Sequence, residues 1–303
     1  MTQRADDTWT TRRLLAWMND AFTRSQLDSP RLFAELLMAH VLGCDRLKLY
    51  MDADRAATPL ERSTLRDLVA RALRHEPVQY LVGEAWFFGL PLHVDARVLI
   101  PRPSTETIVE QVLQHTRAEP GFGGKSGEGV CFADSCTGSG CIAVALLKNL
   151  PEARGLATDV SPDALEVAAR NASRHAVAER LELLRGNLLE PLIDHPAGRD
   201  LHYLVANPPY IPDAEWDAVA PNVKDHEPHA ALRGGSTGLD FVRPIVERAA
   251  ERLRPAGLLL VEIASATAPA VLDLAGSQPG LEHPRIEKDC DGLPRVLVAR
   301  RKH

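Results

Sequence analysis

The distribution of apolar and polar positions divides the chain into two parts. Over the first 75 or so residues, apolar positions recur at helical spacing. In "LRDLVARAL", Leu65, Leu68, Val69 and Ala72 fall at i, i+3, i+4 and i+7, one face of a helix. The stretch "RLFAELLMAHVL" (31–42) is apolar enough for the centre of a bundle. Ser29-Pro30 before it reads as a helix start, with Ser as N-cap and Pro at the first helical position. From Val130 onward the pattern changes. Short apolar runs at 130–134, 155–159, 181–185, 201–206 and 257–263 alternate with helical segments, and 284–289 and 294–300 read as two further strands. In "FVRPIVERAAERL", Val242, Ile245, Val246, Ala249 and Leu253 share one face, and the helix should stop at Pro255-Ala256-Gly257. Such alternation predicts an α/β fold, a parallel sheet with helices on both faces.

Between the two parts, "YLVGEAWFFGLPLHV" sets aromatic and β-branched residues around Gly83 and the Gly89–Pro91 turn, which predicts a β-hairpin. "VLIPRPSTETIVEQVLQH" leads into a helix with Ser104 or Thr105 as cap. "EPGFGGKSGEG" (119–129) is glycine-rich and without period, and reads as a flexible loop. The expected organisation is a helical domain over 1–78, a hairpin linker over 79–97 and a sheet domain over 98–303.

Composition narrows the class. The chain has 303 residues, 45% hydrophobic and 25% charged, an ordinary globular balance. A net charge of −6 gives no strongly basic nucleic-acid footprint. Five cysteines, Cys44, Cys131, Cys136, Cys141 and Cys290, are odd in number and form no C-x-x-C pair. They read as reduced thiols of a cytoplasmic protein rather than a disulfide framework or a zinc site. The start "MTQRADDTWT" has no apolar signal core, and no run is long enough to span a membrane. The eleven histidines show no metal-ligand spacing.

Two stretches carry chemistry. "VCFADSCTGSGCIAVALL" (130–147) reads as strand, small-residue turn and helix. Gly138 and Gly140, flanked by Thr137 and Ser139, leave no side chain in a ligand's way, and a helix starting near Cys141 aims free N–H groups at it. Asp159, nineteen residues after Gly140, stands at the end of the second strand and suits a ribose diol. "GSGCIA" would also serve a dinucleotide. However, Asp134 before the loop would repel a pyrophosphate, whereas it would pair with the ammonium of S-adenosylmethionine. The second stretch is "NPPY", Asn207, Pro208, Pro209 and Tyr210, directly after the fourth strand. Neither proline can donate to a ladder, so the strand ends in a stiff turn. The Asn207 side-chain oxygen and the Pro208 carbonyl can each accept from a planar –NH₂ group, and Tyr210 can stack on it. A turn former after a buried strand would explain "NPPY" alone; beside a donor loop it reads as a nucleophile clamp. Arg102 and Glu106 stand near the domain junction, facing the cleft or solvated. Glu227-Pro228 and "RGGSTGLD" (233–240) read as a loop on the substrate side or as a purely structural one.

"DSCTGSGCIAVA" with "NPPY" resembles the class I methyltransferases that modify planar amino nitrogens. "PVQYLVGEAWFFGLPLHV", "VLIPRPSTE", "EPHAALRGGSTGLDF" and the helical start extend the resemblance over nearly the whole chain, to the HemK/PrmC family of protein-glutamine methyltransferases. The resemblance implies a Rossmann-like seven-stranded sheet and transfer of a methyl group from S-adenosylmethionine to the glutamine amide of the Gly-Gly-Gln motif of peptide chain release factors. It also implies a helical domain that recognises that partner. A monomer is expected, with neither membrane nor direct nucleic-acid contact. The sister PrmB family, which modifies a large-subunit ribosomal protein, shares "CTGSGCIA". An adenine amino methyltransferase would also suit "NPPY", but would need a target-recognition domain or basic groove. Two positions depart from the family. Cys136 stands where many relatives have Gly. Asn187 stands where relatives usually carry Asp, and it would accept from the adenine amino group without charge.

Overall fold

The computed structural model describes residues 8–303 and separates into two compact units. The stretch "MTQRADD", part of the start read above as free of a signal core, lies outside the described residues.

One unit runs to Gly83 and takes in Ala220–His226. Its helices are Thr11–Arg24, Pro30–Leu42, Arg46–Met51, Pro59–Ala72 and Val78–Val82, with a short turn of helix at Pro221–Lys224. Leu65, Leu68, Val69 and Ala72 are buried together with Leu14, Met18, Phe22, Leu37 and Met38, so the helical period read from the sequence is the one that packs. Thr58 and Glu61 cap the fourth helix reciprocally, each side chain accepting from the other's backbone N–H. Ser29 does occupy the N-cap position, but in a left-handed conformation (φ 51°) and without a side-chain cap bond. The fixed ring of Pro30, rather than the serine hydroxyl, starts that helix.

The second unit comprises Glu84–Val219 and Glu227–His303. The expected hairpin is shorter than its apolar run. Tyr80–Val82 finish a helix that Gly83 ends at φ 72°, and only β1 (Glu84–Phe87) and β2 (Leu90–His93) pair. Phe88 and Gly89, both at positive φ, form the two-residue turn between them. The main sheet holds β3 (Cys131–Ser135), β4 (Arg154–Asp159), β5 (Leu181–Arg185), β6 (Leu201–Ala206), β7 (Leu253–Glu262), β8 (Leu281–Lys288) and β9 (Pro294–Arg301). Their order is β5-β4-β3-β6-β7-β9-β8. The five strands β3 to β7 are parallel, but β9 runs antiparallel to both its neighbours, so the sheet is mixed where a parallel one was expected. The reason is the short connection from β8 to β9. It is a turn closed by Asp289, which accepts from the N–H groups of Asp291 and Leu293, and so short a link joins only antiparallel strands.

Alternate residues of each central strand feed different cores. Phe132, Tyr203, Val205, Leu258 and Leu260 pack on one face with helices Glu106–Ala118 and Cys141–Asn149. Ala133, Leu204, Leu259 and Val261 pack on the other with Val242–Arg252 and Ala268–Gly276. Two further expectations are corrected. The helix ending near Pro255 stops at Arg252, and Pro255-Ala256-Gly257 fall inside β7, where a register shift against β6 absorbs the proline's missing donor. The glycine-rich 119–129 segment is not free, because Phe122 is buried and sets its ring edge-on to His115, His202 and Tyr203.

Candidate active site

The chain steps outward from β3 to β4 and β5, then returns to place β6 on the other side of β3. This reversal opens a crevice at the carboxyl ends of β3 and β6, the usual ligand position in an open α/β sheet. Asp134 pairs with Val205 and Ser135 with Ala206, so the glycine loop and Asn207 leave adjacent strands at one level. A cavity opens there. Thr137, Gly138, Ser139, Asp159, Asn187, Asn207 and Pro209 line it, with walls from Val98, Leu99, Ile142, Leu188 and Phe241.

Gly138 and Gly140 serve different ends. Gly138, at φ 55°, has nothing within 4 Å of where a Cβ would stand, and its backbone opens on the cavity. Gly140, at φ 77°, does not line the cavity; a Cβ there would stand 3.1 Å from that of Ala168. The absence of its side chain lets the helix Pro162–Arg174 approach the loop, a correction to the sequence reading that both glycines clear space for a ligand. Cys136 follows β3 at φ 60°, a conformation that favours glycine, and burial pushes its thiol up to about 12.

Asp159 accepts from the backbone N–H of Gly138 through Oδ2 and of Ser161 through Oδ1, both at 2.9 Å, and lines the cavity. Asp134 lies one layer below it, fully buried. It takes the Thr137 hydroxyl at 2.6 Å on Oδ2, while Oδ1 has no partner. Burial pushes the Asp134 carboxyl up to about 7 and raises Asp159 as well. Asp134, expected to pair with an ammonium, does not itself line the cavity; Thr137, which donates to it, does. Asn187 is exposed on the cavity rim, its amide 3.4 Å from Glu190.

In the "NPPY" turn, Asn207 Nδ2 donates to Thr105 Oγ1 at 3.1 Å. That leaves Oδ1 as the amide's acceptor in the cavity. Pro209 lines the cavity as well, whereas Pro208, buried like its neighbour, does not. Tyr210 does not line it; its hydroxyl donates to Glu262 Oε1 at 3.2 Å. The stacking role expected of Tyr210 is thus not supported by where its ring lies. The 233–240 loop grips this turn from behind. Gly234 N–H donates to Ile211 O at 2.8 Å, and a Cβ on Gly234 or Gly238 would strike the Tyr210 backbone at 2.7 or 2.5 Å. Pro228, Ala230 and Ala231 do reach the cavity wall. Arg102 and Glu106 are half-buried, do not line the cavity and are held by partners within the protein. Arg102 pairs with Glu227, itself buried and accepting from Ile100 N–H, and Glu106 accepts from Phe88 N–H at 2.6 Å.

Three supporting residues escape a reading for motifs. Asn171 stands at i+7 from Ala164 on the buried helix face. Its amide donates to Ser139 O and His93 O, and its oxygen accepts from His93 N–H, tying the glycine loop to β2. A polar residue at an apolar position of the repeat was its signal. Glu262, wholly buried directly after the aliphatic run Leu258–Val261, gave the same kind of signal. Thr105 was expected only as a helix cap; its side chain caps nothing and holds Asn207 instead. Among the described residues, no three His, Cys, Asp or Glu side chains gather as for a metal, and no helix is long and apolar enough to cross a membrane.

Comparison with known proteins places these features in a family. Residues 13–83 match the family described as PrmC N-terminal domain, and residues 125–224 match the methyltransferase small domain. A release factor glutamine methyltransferase of Geobacter sulfurreducens is 40% identical over 96% of this chain and 97% of its own. One of Chlorobaculum tepidum is 41% identical over 95% of this chain and 96% of its own. In three dimensions, a methyltransferase from Pyrococcus furiosus overlays with a TM-score of 0.51 at 16% identity. It covers 81% of this chain and 99% of its own, which is a likeness of fold.

Proposed function

The chain belongs to the release factor glutamine methyltransferases, and on that premise we propose that its cavity takes S-adenosylmethionine while the "NPPY" turn holds the glutamine amide of a release factor's Gly-Gly-Gln motif. The observation that carries this reading is the orientation of Asn207. Its nitrogen is spent on Thr105, so an oxygen remains in the cavity beside the glycine loop to accept from a substrate –NH₂.

The residues present fit the donor. Gly138 exposes bare backbone, Asp159 offers a carboxylate for a ribose diol, and Asn187 offers an acceptor for an adenine amine. Asp134 and Asp159, both raised by burial, are stabilised in their charged forms by a cationic ligand nearby. Bound there, S-adenosylmethionine supplies a methyl group on a positively charged sulfur.

This chain's own residues then position the nucleophile. Asn207 Oδ1 and the Pro208 carbonyl accept the two amide hydrogens, which holds the nitrogen on the axis of attack. As the bond to the methyl carbon forms and the carbon–sulfur bond breaks, positive charge develops on the nitrogen, its hydrogens become more acidic and both contacts strengthen, so the clamp favours the transition state over the ground state. One of the two hydrogens then leaves as a proton to water. Positioning of this kind is worth about 7–11 kcal/mol when the reacting atoms stand about 3–3.5 Å apart. The apolar walls from Val98, Leu99, Ile142 and Phe241 keep water from the methyl group. The helical unit over residues 13–83 is the part we assign to recognition of the release factor.

The test offers labelled S-adenosylmethionine with release factor, ribosomes or DNA in separate reactions. Label in the release factor alone is expected. Label in a ribosomal protein or in DNA, with none in the release factor, would overturn the substrate assignment.

A further inference from the structure

We propose that Asn171 is a positioning residue for donor binding: it fixes the plane of the Ser139–Gly140 peptide and so holds the glycine loop in the shape that receives S-adenosylmethionine. The inference rests on the reading of the cavity as the donor's and says what keeps its loop in place.

Glycine gives the loop the turns it needs but does not fix them, because a residue without Cβ is free over most of backbone space. Gly138 and Gly140 flank Ser139, at φ 55° and 77°, so the peptides around Ser139 depend on their hydrogen bonds. Thr137 N–H donates to Thr158 O at 3.0 Å and Gly138 N–H to Asp159 Oδ2 at 2.9 Å, which ties the front of the loop to β4. The Ser139–Gly140 peptide is tied at both ends. Its N–H donates to Thr137 O at 2.8 Å, within the loop, and its carbonyl accepts from Asn171 Nδ2 at 2.8 Å. Which way the Asn171 amide faces is settled by backbone groups whose roles are fixed. Wholly buried, it meets two carbonyls, Ser139 O at 2.8 Å and His93 O at 3.0 Å, and the N–H of His93 at 2.7 Å. One orientation alone satisfies all three, with Nδ2 on the carbonyls and Oδ1 on the N–H. The hairpin has other holders on the same helix. Arg174 pairs with Glu84 at 2.6 Å, and His175 Nε2 donates to Pro91 O at 2.9 Å. The bond to Ser139 O is the one that reaches the loop. Without it the carbonyl loses its buried partner, the peptide is free to turn, and Gly138 and Ser139 leave the position in which they line the cavity. Asn207, held by Thr105 after another strand, is untouched, so the loss falls on donor binding rather than on the chemical step.

The test compares N171L, N171S and V167A with wild type in three measurements: S-adenosylmethionine affinity by calorimetry, kcat on release factor at saturating donor, and thermal unfolding. N171L keeps the branched shape and removes every hydrogen bond. V167A trims a wholly buried side chain on the same helix face that does not line the cavity, and so reports what lost packing alone does. N171L should bind the donor about 10- to 100-fold more weakly, the usual cost of a buried group left unpaired, with kcat at saturating donor little changed. V167A should unfold at a lower temperature and bind the donor at full affinity. Wild-type affinity in N171L, or an equal loss of affinity in V167A, would overturn the role. If N171L does not fold, N171S is read in its place; failure of both to fold would assign Asn171 to the fold alone and overturn the proposal. A wild-type chain that binds no S-adenosylmethionine brings down the reading of the cavity, whereas donor binding shared equally by wild type and N171L removes only the role of Asn171.

Discussion

Replacing each loop glycine with alanine separates the two tasks the loop performs. At Gly140 the residue adopts φ 77°, and leaving glycine there costs about 1–2 kcal/mol of backbone strain. The new methyl would stand 3.1 Å from Ala168 Cβ and 3.3 Å from its Cα. Backbone cannot swing aside as a flexible side chain can, so overpacking adds about 1–3 kcal/mol. G140A should therefore lose about 2–5 kcal/mol of folding stability through the two terms together. At Gly138 the strain is similar at φ 55°, but nothing lies within 4 Å of the added methyl. G138A should lose only about 1–2 kcal/mol in folding. Its methyl instead meets whatever occupies the cavity, so donor affinity should fall by about tenfold or more, 1.4 kcal/mol per decade. Thermal unfolding without ligand and calorimetric titration with S-adenosylmethionine, run on both variants, read the two effects apart. A G140A chain as stable as wild type, or a G138A chain that binds the donor at full affinity, would refute the division.

Two other substitutions probe the carboxylates. Asp159→Ala should weaken S-adenosylmethionine binding by about 1–3 kcal/mol, the loss expected when a charged hydrogen-bond partner is removed; unchanged affinity by calorimetry would remove Asp159 from the ribose site. Asp134, pushed up to about 7 by burial, holds its proton in the folded chain more tightly than when unfolded. Its contribution to stability is therefore full below about pH 4 and is lost as pH rises towards about 7. The unfolding free energy of Asp134→Asn relative to wild type should accordingly rise between pH 4.5 and 7.5, and a difference that stays flat across that window would contradict the buried, raised carboxyl.

How far the sequence carried the fold depended on whether the signal was local. Strand–helix alternation placed all seven sheet strands to within a few residues, the central ones because each carries an aliphatic run next to turn formers. The direction of β9 was not legible, since period 2 is the same in parallel and antiparallel pairs. Only the short turn around Asp289 sets it. Phe122 shows the same limit from the other side: a glycine-rich stretch looks free until one aromatic finds a pocket of rings formed by residues far away in the chain.

At the candidate site, the two motifs meet at one crevice, where Thr137, Gly138, Ser139, Asp159, Asn187, Asn207 and Pro209 gather. What eluded a reading of motifs is depth. Asp134, Gly140 and Tyr210 belong to the same segments but lie behind the surface, where their contacts are with Thr137, Ala168 and Glu262. Spacing along the chain says which residues are near a site, and packing decides which of them face it.

The central claim is that Asn207 holds the amide that receives the methyl group. Mass spectrometry of a release factor after incubation with S-adenosylmethionine and either wild type or Asn207→Ala tests it directly, with donor affinity measured in parallel. The account predicts one methyl on the glutamine of the Gly-Gly-Gln peptide with wild type, and a rate about 10²–10³ lower with the variant at unchanged donor affinity. A variant that methylates that glutamine at the wild-type rate, or a wild-type chain that leaves it unmodified, would contradict the account.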